Sequence, residues 1–116
     1  MSQPDALTWE AALARYESHL RARRASPRTV AGYLRELELL SERLALPPAR
    51  VTLQGLREHL CGLMTGTRSI SGRPLAAGTV ARTATAYKCF FAFLLAEGLS
   101  QEDPARRLER PKVPRY

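Results

Sequence analysis

The chain carries the sequence FFAFLLAEG at residues 90–98, an apolar run that predicts a strongly hydrophobic helix closed by a C′ glycine. Asp103 and Pro104 follow, and this pattern of an N-cap residue with proline at the first helical position predicts a one-turn helix. The final residues, PKVPRY at 111–116, combine two prolines with two basic residues. We therefore expect residues 1–110 to form one domain and residues 111–116 to begin a stiff linker toward a further domain.

Three more amphipathic helices are predicted upstream. They run from the N-cap Thr8 to about Arg23, from the N-cap Ser26 to about Leu44, and from the N-cap Thr52 to about Met64. The fourth helix extends from about Ala77 to Glu97, with Gly98 after it. No segment shows the alternation of a strand, so the expected fold is an all-α bundle of four amphipathic helices plus a short C-terminal helical turn.

The apolar positions recur at helical spacing and predict the core. In chain order they are Trp9, Leu13, Tyr16 and Leu20, then Val30, Tyr33, Leu34, Leu37, Leu40 and Leu44, then Leu53, Leu56, Leu60 and Leu63, and finally Val80, Ala84, Tyr87, Phe91 and Leu94. Residues 65–74 have no such period and are rich in Gly, Ser, Thr and Arg, which predicts a flexible loop that is mostly a disordered insertion. Alternatively, its arginines Arg68 and Arg73 touch a nucleic acid.

The net charge of +7 and the pI of about 10.2 favour a polyanionic partner, because folding alone does not require such an imbalance in a small domain. Arginine dominates the basic residues, which suits phosphate and guanine recognition, although a GC-rich genome produces the same bias. The spacing of Cys61 and Cys89 predicts reduced, partly buried thiols, and His19 and His59 read as ordinary solvated or half-buried side chains. We expect no metal, no cofactor and a cytoplasmic location.

Two helices carry candidate binding faces. On the second helix, Arg28, Gly32 and Arg35 project from one side and Thr29 adds a hydroxyl, although a simple solvated face explains that pattern equally well. On the fourth helix, a small, polar and basic stripe comprises Gly78, Arg82, Thr85, Ala86 and Cys89, flanked by Thr79 and Lys88. No acidic residue occurs from Gly78 to Ala96, and this composition suits a helix that enters the major groove of DNA.

The sequences SPRTV at 26–30, GTVAR at 78–82 and AYK at 86–88, together with the ending described above, form a recognisable combination. From about residue 8 to residue 114, the chain resembles the N-terminal core-binding domain of tyrosine recombinases of the Xer and phage-integrase type, a SAM-like helical bundle. The resemblance implies that this domain and a C-terminal catalytic domain clamp a DNA half-site, with the second and fourth helices crossing in the major groove.

The resemblance also implies site residues. The positions that match the DNA-facing pattern are Arg28, Thr29, Thr79, Arg82, Thr85 and Lys88, and the tail residues Arg106, Arg107, Arg110 and Lys112 would follow the phosphates. Two departures from the family leave sequence readout open, namely Tyr87 in place of an aliphatic residue and Gly78 in place of a longer polar one. The implied partners are double-stranded DNA and other recombinase protomers, with no membrane and no small-molecule substrate.

Catalysis in the family uses a tyrosine nucleophile, two arginines, a lysine and a histidine in the C-terminal domain, so we expect this chain to have no catalytic residue. Tyr116 stands at the linker position and is interpreted as the point where the chain was cut. A second hypothesis is a helical protein-interaction module with incidental positive charge. Phe90, Phe91 and Phe93 are not expected to share one core face, so some of this apolar surface should remain outside or meet a neighbouring protomer. A free-standing helix-turn-helix repressor is weaker, because paired short helices with a tight turn are absent.

Overall fold

The structure is a computed structural model that describes residues 7–111. It contains four α-helices, and no strand occurs among those residues. The helices are α1 (Trp9–Ala22), α2 (Pro27–Leu44), α3 (Leu53–Thr65) and α4 (Ala77–Ala96), with a 3₁₀ turn at Pro48–Arg50 between α2 and α3. The predicted all-α bundle is confirmed, and each helix boundary lies within one residue of its predicted position.

Side-chain caps explain why the first three helices begin where they do. The hydroxyls of Thr8, Ser26 and Thr52 each accept a hydrogen bond from the backbone N–H three residues later, at 3.0–3.1 Å. Each cap satisfies a backbone donor that the helix leaves unpaired. α4 begins after Ala76 without a side-chain cap, so its first turn depends on packing rather than on capping.

α4 is the central helix of the bundle, in contact with α1, α2 and α3. Phe90, Phe91 and Phe93 are all buried, so the expectation that part of this aromatic surface stays outside is wrong. The reason is α1, which covers a second face of α4: the Trp9 ring stacks on Phe90 at 5.6 Å, and the Tyr16 ring lies 5.3 Å from Phe93. The interaction-module hypothesis therefore loses the exposed aromatics on which it rested.

Three single-residue expectations also need correction. Cys61 and Cys89 are free thiols as expected, but both are exposed rather than partly buried. His59 is buried in the core at 2% exposure, because α3 packs it beside Tyr87, whose ring lies 6.0 Å away.

None of the helices in residues 7–111 is long and apolar enough to cross a membrane.

The loop after α3 differs from the expected disordered insertion. It folds back on α3 through hydrogen bonds from the Arg68 N–H to the Gly62 carbonyl, at 3.1 Å, and from the Leu75 N–H to the Leu63 carbonyl, at 3.0 Å. Within the loop, the buried Ser69 hydroxyl donates to the Arg73 carbonyl at 2.6 Å. The short Gly- and Ser-rich sequence thus closes into consecutive turns whose polar groups satisfy one another.

The C-terminal segment, residues 103–110, returns to the bundle at the predicted place, as hydrogen-bonded turns rather than as a separate one-turn helix. The Asp103 carboxylate accepts from the Ala105 N–H at 2.9 Å, and the Leu108 N–H donates to the Ala105 carbonyl at 3.0 Å. The side chains of Ala105 and Leu108 are buried in the core. Residues 112–116, including Lys112 and Tyr116, lie outside the described residues.

Candidate nucleic-acid interface

The stripe of α4 contains four of the predicted site residues, namely Thr79, Arg82, Thr85 and Lys88. Arg82 and Cys89 are exposed, and Thr79, Thr85 and Lys88 are partly exposed. Ala86 was expected on this stripe, but it is buried because α4 is covered on more than one side, and it contributes no outer surface. Arg82 is therefore the one exposed cation that α4 itself presents among the described residues.

At the N-terminus of α2, Arg28 and Thr29 occupy the exposed first turn. The Ser26 hydroxyl caps this turn, accepting from the Thr29 N–H at 3.1 Å and donating to the Thr29 hydroxyl at 2.9 Å. The Thr29 hydroxyl retains its own proton as a donor. One turn later, a Cβ built on Gly32 would meet nothing within 4 Å, so packing does not require glycine there.

Arg35 lies further along α2, at the rim of a cleft between α2, α3 and the loop after α3. The cleft has a volume of about 320 Å³, and its lining includes Arg43, Arg68 and the buried His59. The stem of Arg68 covers Gly62, where an added Cβ would come within 2.6 Å of it. The structure therefore places Arg35 and Arg68 around this cleft and does not group them with Arg82 and Thr85.

Lys88 has partners that its sequence position did not predict. Its ammonium group donates to the backbone carbonyl oxygens of Leu108, Arg106 and Ala105, at 2.9, 3.2 and 3.3 Å. An ammonium has three N–H donors, so these bonds use its full donor capacity. In this geometry Lys88 holds the C-terminal segment and has no donor left for a phosphate.

The same segment brings other cations to the stripe. The Arg110 guanidinium donates from Nη1 to the Thr85 hydroxyl oxygen at 3.4 Å, which places it on the outer face of α4. Arg106 and Arg107 are exposed on the outer side of the turn. Glu109 instead forms a two-point ion pair with Arg57 of α3, at 3.1 and 2.5 Å, and the Arg57 guanidinium lowers the pKa of that carboxyl.

Sequence reasoning missed a buried polar cluster between α2, α3 and α4. The buried Thr83 hydroxyl has two acceptors within reach of its one proton. They are the Thr79 carbonyl oxygen, at 3.2 Å, and the Glu36 carboxylate, at 3.4 Å. Nearby, the Tyr87 hydroxyl and His59 Nδ1 are buried without a hydrogen-bond partner among the described residues. Burial, reinforced by Arg68 and Arg43, lowers the pKa of His59 to about 4, so the imidazole is neutral at physiological pH.

Apart from the exposed thiol of Cys89, the stripe offers charge and hydrogen-bonding groups. Within residues 7–111, His, Cys, Asp and Glu side chains form no group of three or more able to hold a metal ion. What the geometry supplies is two guanidinium donors on one face, Arg82 from α4 and Arg110 from the C-terminal segment. The Thr85 hydroxyl accepts from Arg110 and donates its own proton to the Ala81 carbonyl at 3.1 Å. Such donors suit phosphate oxygens and base edges.

Comparison with known proteins agrees with this architecture. The family model for the phage integrase N-terminal SAM-like domain matches residues 13–98. The chain belongs to this family. The integrase from mycobacterium phage Brujita has a similar fold, with a TM-score of 0.73 at 19% sequence identity over 90% of this chain and 33% of that one.

Two curated relatives are similar in sequence, and both are named tyrosine recombinase XerC. The one from Roseiflexus sp. (strain RS-1) is 31% identical over 93 residues, which cover 80% of this chain and 29% of the relative. The one from Roseiflexus castenholzii (strain DSM 13941 / HLO8) is 49% identical over 43 residues, or 37% of this chain and 14% of the relative. The SAM-like domain described here thus spans less than a third of these relatives.

Proposed function

We propose that this chain is the DNA-binding, non-catalytic N-terminal domain of a site-specific tyrosine recombinase, gripping a recombination half-site through α2 and α4. Residues 1–110 form the domain, and residues 111–116 begin the linker to a catalytic domain that performs strand exchange. The domain acts on double-stranded DNA in the cytoplasm, beside other recombinase protomers in a synaptic complex. The family match and the names of the two Roseiflexus relatives support this assignment.

The observation that carries the proposal is the convergence of Arg110 on the α4 stripe. Arg110 reaches Thr85 across 25 residues of sequence, so a cation from the C-terminal segment joins Arg82 on one face. The acidic side chain nearest to Arg110 in sequence, Glu109, is drawn away by Arg57. Arg82 and Arg110 thus give this face positive charge, while Arg57 neutralises the carboxylate of Glu109, and positive charge is what phosphate binding requires.

On α2, the contacts proposed are from Arg28 and Thr29, whose exposed first turn offers a cation and a hydroxyl. The positive end of the helix dipole adds to the attraction for a phosphate. Beside them, Gly32 leaves space for a close approach of the sugar-phosphate backbone. Arg35 remains in the proposed interface as a peripheral contact, because it lies on the same helix but faces the α2–α3 cleft.

The test is fluorescence anisotropy of the domain with a labelled duplex between about 50 and 300 mM salt. Three to five neutralised phosphates predict a slope of log K against log salt of roughly −3 to −4, with affinity in the micromolar range or weaker at physiological salt. Arg82→Gln should weaken binding and make the slope shallower by about 0.9 if Arg82 neutralises one phosphate.

Arg21→Gln is the matched control, because it removes the same charge from an exposed position of α1 where the partner is Glu17. It should leave the slope unchanged. Lys88 is unsuitable for this test, since a charge reversal there would repel three carbonyl groups and disturb the C-terminal segment. Absence of binding at about 50 mM salt, or equal losses in the Arg82 and Arg21 variants, would contradict the proposal.

A further inference from the structure

Lys88 is a conspicuous residue of the α4 stripe because its charge points at the protein's own backbone. The three carbonyl oxygens that receive its N–H groups belong to residues 105, 106 and 108, all within one turn of the C-terminal segment. Hydrogen bonds from an ionised donor are stronger than those between neutral groups. Lys88 is thus a clasp between the middle of the central helix and the end of the domain.

The clasp is paired with apolar anchors. The side chains of Ala105 and Leu108 enter the core, while the carbonyls of the same residues face Lys88. Because the side chains and the carbonyl groups of Ala105 and Leu108 both face the bundle, the side chains of Arg106 and Arg107 are directed outward and are exposed. The turn that Lys88 holds is therefore the element that orients these two arginines.

The same arrangement fixes Arg110. Two residues after Leu108, its guanidinium reaches Thr85, which precedes Lys88 on α4 by three positions and therefore lies on the same face of the helix. Glu109, which precedes Arg110, is attached to α3 by its ion pair with Arg57. A lysine that holds residues 105–108 thus determines where three exposed arginines lie relative to Arg82.

We propose that Lys88 is a positioning residue for DNA binding: it contacts no phosphate itself but holds the C-terminal segment so that Arg106, Arg107 and Arg110 extend the α4 surface as one phosphate-binding row. This inference rests on the proposed function, because the row matters only if DNA lies on this face. It replaces the expected direct role of Lys88 by an indirect one. The donor count supports it, since a phosphate contact would require breaking bonds that the ammonium already makes.

The salt dependence of DNA binding separates the two roles. Lys88→Met keeps the stem and removes the donors, and it is measured in the natural chain and in a background carrying Arg106→Gln, Arg107→Gln and Arg110→Gln. A positioning residue should make the slope shallower by roughly 2 or more in the natural chain, because several phosphate contacts are lost together, and leave it unchanged in the background. A direct contact would change the slope by about 0.9 in both.

Lys88→Arg provides a second variant that keeps the charge. Arginine binds phosphate at least as well as lysine, but its planar fork cannot direct three donors at oxygens arranged around one point. The positioning role therefore predicts weakened DNA binding in Lys88→Arg, whereas a direct phosphate contact predicts binding equal to or tighter than that of the natural chain. Binding unchanged in both Lys88 variants would overturn the proposal.

Limited proteolysis tests the clasp without DNA. Because proteolysis within a folded segment follows its local opening, Lys88→Met should accelerate trypsin cleavage after Arg106 and Arg107 by about tenfold, and Arg21→Gln should not. Thermal melting by circular dichroism confirms that each variant is folded. Equal cleavage rates in the natural chain and Lys88→Met would overturn the clasp even if DNA binds. Faster cleavage in a domain that binds no DNA would instead overturn the proposed function and the DNA role of the row, leaving the clasp as a structural feature.

Discussion

The ammonium nitrogen of Lys88 lies 2.9 Å from the carbonyl oxygen of Leu108, while the Leu108 side chain is 3% exposed in the core. One residue of the C-terminal segment is therefore held at its backbone by a charge and at its side chain by apolar contacts. The two attachments differ physically, since salt screens an interaction of the Lys88 charge but does not screen the burial of a leucine side chain.

Leu108→Ala should destabilise the domain by about 2–4 kcal/mol, because it removes buried methyl groups and leaves a cavity between the segment and the bundle. The matched comparison is Arg57→Gln, which breaks the exposed ion pair to Glu109 in the same segment and should cost much less stability, because solvent screens such a surface pair. Urea unfolding of the two variants checks the difference. A larger loss for Arg57→Gln would mean that the ion pair, not Leu108, anchors the segment.

The helices and their caps were predictable because each depends on local sequence. Ser26, Pro27 and the apolar period of α2 act within one or two turns, and the same holds for Thr8 and Thr52. The burial of Phe93 was not predictable, because it depends on α1 lying across a second face of α4. Helical periodicity gives the face that a residue occupies but not how many faces a neighbouring helix covers.

The candidate site was predictable in composition but not in its internal contacts. The basic, small-residue stripe of α4 and the exposed Arg28 follow from spacing alone. The partners of Lys88 are carbonyl groups 17 to 20 residues later in the chain, and no side-chain pattern reports the position of a backbone oxygen. Thr83 and Glu36 are likewise joined only by tertiary packing, so their contact is visible in the structure alone.

His59 should make the domain less stable as the pH falls. Its pKa is lowered to about 4 by burial, so the unfolded chain, with a histidine pKa of 6.5, binds more protons between these two values. The stabilisation is present above pH 6.5 and is lost progressively toward pH 4, amounting to about 2 kcal/mol between pH 7.5 and pH 5.

The check is urea unfolding at pH 7.5, 6.5 and 5 for the natural chain and for His59→Leu, which cannot titrate at this position. The variant should lose less stability than the natural chain between pH 7.5 and 5, whatever its stability at neutral pH. Parallel curves for the two proteins would show that His59 does not carry the pH dependence.

Tyr87→Phe should be neutral or stabilising by up to about 1 kcal/mol. The Tyr87 hydroxyl is buried and makes no hydrogen bond within the described part of the chain, so its removal relieves a desolvation cost and leaves the ring packing intact. Tyr87→Leu is the matched comparison, because it also removes the hydroxyl but loses the volume of the ring. It should destabilise the domain by about 2 kcal/mol or more. A loss above about 1 kcal/mol in Tyr87→Phe would indicate that the hydroxyl has a partner, such as an internal water.

Gly32→Ala should separate stability from binding. Gly32 lies in the second turn of α2 with open space where a Cβ would stand, so alanine should stabilise the helix by about 0.5–1 kcal/mol through its higher helix propensity. If a DNA backbone approaches α2 at this point, the added methyl group should weaken binding at the same time, and Gly32→Leu should weaken it further. Thermal melting and anisotropy measure the two effects. If Gly32→Ala and Gly32→Leu both bind DNA as tightly as the natural chain, this turn of α2 does not belong to the interface. The binding surface would then consist of α4 and the C-terminal arginines.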